Sequence, residues 1–275
     1  MIVSPFTPLF FINRKADGID SDYVQTFSST DRILLQLLGH HGSSVTAQVI
    51  DEYEGKILYQ ISFNTWSVNK DVLLYFTTII LSPGVYSVNI SGIGKSEIFR
   101  VTDDVRILDK TTLIQYSMNN NRHRNDAVFF IDGMQYFFDF RVPGGFKDSN
   151  WTFGVESEQF VTQQADISQL FGLEFTQKKF TLGGSIGVPV WFGEMLNRIL
   201  ICSHVYFDGV KYTRKEANVP ELTVQLDGVN SFVFNQTLQQ SINLDPVLEQ
   251  NHQAIIRRCP DNYRKIAPNI NRLIF

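Results

Sequence analysis

The side chains best suited to metal or nucleophilic chemistry are five histidines (His40, His41, His123, His204, His252) and two cysteines (Cys202, Cys259). No two histidines have the i, i+4 spacing of a helical zinc site, and none lies in an HExxH context. His40 and His41 stand between Gly39 and Gly42, the setting of a loop tip rather than a metal site. Cys202 and His204 are two apart, so on a strand they would share a face as a thiol–imidazole pair. Their apolar surroundings favour an inert, buried thiol. The cysteines are 57 positions apart and read as reduced thiols, not a disulfide or a metal pair. There is no GxSxG elbow. The acidic pairs Asp51-Glu52 and Asp103-Asp104 are adjacent residues, which on a strand point to opposite faces and cannot converge as a glycosidase dyad. Gly92–Ser96 reads GIGKS, the end of a phosphate-binding loop, but the required first glycine is replaced by Asn89. A strand-like segment follows it instead of a helix N-terminus. The sequence therefore predicts no catalytic residues, no cofactor and no metal, and an assembly protein is a stronger expectation than an enzyme.

Composition reads as globular rather than disordered. The 275 residues are 43% hydrophobic and 19% charged, enough for two ordinary domains. Twenty-three phenylalanines suit strands and interfaces. A net charge of -4 argues against nucleic acid as a main ligand. The N-terminus, MIVSPFTPLFFINRK, lacks the basic lead and small-residue cleavage site of a secretion signal. It is also too short and too broken by proline to span a bilayer, so no membrane is expected.

The elements that position these residues are strands. Val45–Tyr53 and Lys56–Phe63 alternate about Glu54-Gly55, and Asp71–Leu81 and Val85–Ile90 flank Ser82-Pro83-Gly84, all as hairpin signals. Asp31–Leu38 and Glu97–Val101 complete a strand-rich region. In the second half, Asp132-Gly133 and Asp208-Gly209 are type I′ dipeptides between strand-like runs. Gly144-Gly145 reads as a bend that ends the strand Met134–Val142. Trp191, Met195, Leu196, Ile199 and Leu200 line one face of a short helix opened by Pro189. The expected fold is mainly β, with two antiparallel β-sandwich-like domains, one short helix and a C-terminal extension. The expected divisions are an N-terminal arm over 1–20, a sandwich over 21–101, a second β domain over 102–240 and a docking extension over 241–275. A first edge strand is the alternative to the N-terminal arm.

FDFRVPGGF over Phe138–Phe146, GVPVWFGEMLNRIL over Gly187–Leu200 and SHVYFDGVKYTRKE over Ser203–Glu216 together resemble a family of tail proteins from phages of Bacteroidales bacteria. They are similar to the tail-hub or distal-tail class, crAss-like phages included, most clearly over about 100–240. The resemblance implies a virion component, made in the host bacterial cytoplasm, that forms a ring with itself and docks other tail proteins. It carries over no catalytic residue.

The extension changes character. Asp245-Pro246 could cap a helix over 243–256, followed by Arg257, Arg258, Arg264, Lys265 and Arg272 and an apolar end, NINRLIF. It reads as an arm that docks on a neighbour, with packing on its own molecule as the alternative. Candidate interface residues are Phe10 and Phe11 on the arm, Trp66 and Trp151 in polar loops, and Arg257, Arg258, Arg264, Lys265, Arg272 and Phe275 on the extension. The competing function is a carbohydrate-binding module or adhesin for host-surface glycans, in which Trp66 and Trp151 would stack on sugar rings.

Overall fold

The computed structural model describes residues 1–11, 23–121, 126–161, 163, 167–185, 187–215, 221–226 and 231–241. The chain is mainly β. In the first half, strand β1 is Ile2–Val3, β2 Gln25–Ser28, β3 Ile33–His40, β4 Ala47–Asp51 and β5 Lys56–Ile61. They are followed by β6 Asn64–Ser67, β7 Val72–Ile79, β8 Gly84–Ile90, β9 Gly94–Lys95 and β10 Phe99–Thr102. One sheet runs β1-β3-β7-β6; the other runs β2-β10-β8-β4-β5, with β9 paired to β8. Leu35, Leu37 and Tyr75 of the first sheet pack on Val49, Val88 and Phe99 of the second, which makes a sandwich. β3 is apolar along almost its whole length because both its faces are covered. Leu35 and Leu37 enter the sandwich core, whereas Leu34 belongs to the core of the second half.

The second half contains α1 (Val105–Leu108), β11 (Thr111–Ser117), β12 (Phe130–Ile131), β13 (Met134–Gln135), β14 (Phe138–Val161) and β15 (Ile167–Leu182). It continues with α2 (Val190–Ile199), β16 (His204–Phe207), β17 (Val210–Arg214), β18 (Glu221–Leu226) and β19 (Ser231–Gln240). Its sheet runs β15-β14-β11-β16-β17-β19-β18, and β15 also pairs β19. That extra pairing closes six antiparallel strands into a barrel, with β18 outside the closure. Alternate residues fill it: Ile114 and Tyr116, Phe138 and Phe140, Phe180 and Leu182, Val205 and Phe207. Helix α2 adds Trp191, Phe192, Met195, Leu196 and Ile199 to the same cluster. Gly193 is needed there, since a Cβ would meet the Phe234 ring at 2.5 Å.

Both type I′ dipeptides adopt the expected geometry, with φ of 48° and 79° at Asp132 and Gly133 and of 47° and 88° at Asp208 and Gly209. GIGKS forms a tight hairpin turn, and Lys95 pairs with Glu52 at 2.9 Å.

Two expectations are corrected. The first eleven residues are not a free arm. β1 pairs with β3 as an edge strand, and Phe6 is fully buried against Phe129. The Tyr116 hydroxyl donates to the Phe6 carbonyl at 2.6 Å, and Arg198 donates to the Pro5 carbonyl at 2.8 Å. Prolines that read as interruptions thus place a strap across the barrel. Nor does Gly144-Gly145 end a strand. Gly144 takes φ 120°, but its register with Leu182 is kept and β14 continues to Val161.

The two halves meet at a polar seam. On β14, Asp139 and Arg141 alternate with the inward Phe138 and Phe140, so they face out of the barrel. Arg141 holds the Asp31 carboxylate at 2.7 and 2.8 Å, with Asp31 almost wholly enclosed. Asp139 accepts from the Arg32 amide at 3.0 Å and the Gln115 side chain at 2.9 Å. Burial nevertheless pushes its carboxyl up to about 6. Gln36 of β3 completes the seam by bonding both the carbonyl and the amide of Val128.

Candidate assembly surface

β14 and β15 outrun the barrel. β11 pairs β14 only from Phe138 to Pro143, and β19 pairs β15 only from Gln177 to Leu182. Beyond those limits the two strands continue together from Phe153↔Thr176 to Val161↔Ile167, and no other described strand joins either edge. The result is a ribbon nine pairs long, roughly 30 Å at the usual rise per strand residue. A bulge marks its root: the register jumps from Phe146↔Phe180 to Trp151↔Lys178. Bulges bend and twist a strand, which suits the departure from the barrel wall. The Lys178 ammonium sits 3.9 Å from the Trp151 ring centroid at that root.

The ribbon is apolar on both faces. By alternation along β14, Trp151, Phe153, Val155 and Val161 share one face, and Phe160 lies on the other with Phe171 and Phe175 of β15. Phe153 is 71% exposed and Phe171 53%. Phe175 is half-buried because its ring lies over Gly154, where a Cβ would meet it at 2.3 Å. From Trp151 to Gln177 the sequence carries four carboxylates (Glu156, Glu158, Asp166, Glu174) and no Lys or Arg.

A second unpaired edge belongs to the sandwich. Among the described residues β5 pairs only with β4, so no described strand joins its outer edge. Ile57, Leu58 and Tyr59 are all exposed along it, on both faces of the strand. An open edge with apolar residues is a template for pairing with another chain.

The expected interface residues divide three ways. Trp151 lies on the ribbon, in a strand rather than a polar loop. Trp66 is also in a strand, β6, where it packs against Leu74 and Phe76 and donates its indole N–H to Asp132 at 3.3 Å. The two tryptophans therefore sit on different sheets. Phe10 packs on Phe140, Trp191 and Phe192, and Phe11 packs against the sandwich core, so both serve the fold rather than a free surface. Arg257, Arg258, Arg264, Lys265, Arg272 and Phe275, with the helix expected over 243–256 and Cys259, lie outside the described residues.

Cys202 lies in the turn between α2 and β16 and packs against the barrel core, so it does not share a strand face with His204. Burial, with the nearby Lys211 cation, pushes the His204 imidazole down to about 4. Among the described residues no group of three His, Cys, Asp or Glu side chains could hold a metal ion. No described helix is long and apolar enough to cross a membrane. The ribbon went unread in the sequence because Lys147–Asn150 is polar and follows two glycines. Its signal was present all the same, in the period-two pattern Trp151, Phe153, Val155.

No protein-family model and no curated protein matches the chain.

Proposed function

We propose that this chain is a structural subunit of a bacteriophage tail, a hub or adaptor component that closes into a cyclic homo-oligomer and docks neighbouring tail proteins. The observation that carries the assembly half of this reading is the ribbon. A two-stranded ribbon is marginal in water by itself. A sequence that is apolar on both faces of such a ribbon matches a strand pair covered on both sides. The phage-tail half rests on the resemblance of Phe138–Phe146, Gly187–Leu200 and Ser203–Glu216.

Ribbon and β5 edge supply the two unlike halves of a contact. A contact between different surfaces of successive copies gives a ring when the rotation closes. The ribbon would enter next to β5 of the neighbouring copy, by strand addition and by packing its aromatic residues on Ile57 and Tyr59.

The test is native mass spectrometry across a concentration series. One sample is the full chain. In the other, residues 153–176 are replaced by a two-residue type I′ turn. A single closed stoichiometry that requires the ribbon supports the reading. Equal oligomeric states for the two chains would sink it.

A further inference from the structure

We infer that the cavity between the N-terminal strap and helix α2 binds a small apolar carboxylate, with Arg198 holding the carboxylate group. The site is separate from the ribbon and from the β5 edge, and it does not depend on how copies assemble.

The cavity follows from the way the strap crosses the helix. The Thr7 amide donates to the Ser4 carbonyl at 2.9 Å, which makes a turn just after β1. Phe6, within that turn, enters the barrel core, while its neighbours Pro5 and Thr7 line a cavity of about 240 Å3. The helix side of the cavity is Trp191, Glu194, Met195 and Arg198. Their spacing of i, i+3, i+4 and i+7 puts all four on one face of α2.

Volume and walls define the body of the ligand. A cavity of about 240 Å3 has room for about eight waters, or for a molecule of roughly ten non-hydrogen atoms. Val3, Leu9, Phe10, Phe11, Trp191 and Met195 make most of its wall apolar. Water held against such a wall finds few hydrogen-bond partners, so an apolar body replaces it favourably. A concave, mostly apolar site with a few convergent polar groups is the usual form of a small-molecule site.

Charge defines the head. Arg198 donates from Nη1 to the Pro5 carbonyl at 2.8 Å and reaches Met195 Sδ at 3.7 Å. Both acceptors are neutral, and among the described residues no carboxylate pairs with this cation. The bond to Pro5 fixes the guanidinium at the cavity wall, and a guanidinium has five N–H donors in a fork that matches a carboxylate. Glu194 lies one turn earlier on the same face but is exposed, where water and salt screen it. A ligand in this position touches strap and helix together, so it holds the strap on α2.

The probe is phenylpropionate, with neutral phenylpropionamide and cationic phenylpropylamine as controls of nearly the same shape. Each is titrated into the full chain by isothermal calorimetry and followed by hydrogen exchange. The acid should bind with a Kd of about 1 mM or below, and at least about tenfold tighter than the amide or the amine. At ten times its Kd it should slow exchange of the strap amides roughly tenfold, and leave the ribbon amides unchanged. Arg198→Gln should weaken the acid about tenfold and Arg198→Lys no more than about threefold, because lysine keeps the charge. Arg198 also holds the strap, so the comparison of acid with amide in the unaltered chain decides the matter without any variant. Equal affinity for acid and amide overturns the inference, since the cavity then accepts any apolar body. An amine that binds tighter than the acid overturns it too, in favour of Glu194. So does an acid that fails to bind, or that binds without slowing the strap. None of these outcomes bears on the ring.

Discussion

Gly144 and Gly145 are adjacent, yet the structure predicts opposite outcomes when each becomes alanine. At Gly144, φ is 120°, and a Cβ would stand 2.0 Å from the Thr181 carbonyl oxygen on the paired strand. Neither atom belongs to a flexible side chain, so the strands must separate. At Gly145 the backbone has no such φ, and a Cβ would meet only the Thr112 hydroxyl at 3.6 Å, an ordinary contact. Backbone strain of about 1–3 kcal/mol for Gly144→Ala adds to two weakened cross-strand hydrogen bonds at about 1 kcal/mol each. The expected loss is about 3–5 kcal/mol, against less than about 1 kcal/mol for Gly145→Ala. The site is where β14 turns from the barrel wall into the ribbon, so exchange near Thr181 and Leu182 should rise in the first variant alone. Urea unfolding followed by near-ultraviolet dichroism reads the stability difference. Equal losses for the two variants would refute the geometry at the root of the ribbon.

Other outcomes follow from the seam, the barrel core and the edges. Asp31→Ala leaves Arg141 buried without its carboxylate and should cost about 3–5 kcal/mol, read as a lower urea midpoint. Phe192→Ala removes a ring that packs on Phe10, Phe140 and Tyr23 and should cost about 3–5 kcal/mol, in the same assay. Ile57→Lys with Tyr59→Lys, both exposed on β5, should leave stability within about 0.5 kcal/mol yet abolish the closed oligomer in native mass spectrometry. Asp139, raised to about 6, makes stability fall as pH rises from about 4 to 6, because the unfolded carboxyl loses its proton first. His204, lowered to about 4, makes stability fall as pH drops from about 6.5 to 4, because the unfolded imidazole gains its proton first. Each effect is of the order of 3 kcal/mol, so melting temperature should change little between pH 4 and 6, fall towards acid in Asp139→Asn, and rise towards acid in His204→Asn.

Local chemistry was legible in the sequence where one dipeptide decides the geometry. Asp132-Gly133 and Asp208-Gly209 took the positive φ that their turns require. The face of α2 was legible because Trp191, Met195, Leu196 and Ile199 repeat at helical spacing. Closure of the barrel was not, because it depends on Gln177–Leu182 meeting Phe234–Gln239, a long-range pairing that no local pattern encodes. The role of the first eleven residues was hidden for a similar reason. Pro5 and Pro8 look like breaks in a chain, but Phe6 between them is held by Tyr116, Phe129 and the carbonyl contact from Arg198 to Pro5. Phe10 and Phe11 looked like surface aromatics only because the cores they enter are built from residues far along the chain.

The distribution of unpaired edges argues for assembly more strongly than any single residue does. The second half removes edges by closing β15 onto β19, and the sandwich straps β1 over the outer side of β3. Against that economy, among the described residues the β14–β15 ribbon keeps both edges open for nine pairs and carries aromatic residues on each face. The β5 edge stays open and exposes three consecutive large apolar side chains. On the proposed reading, these two edges on unlike surfaces are what a subunit that pairs with its own neighbours requires.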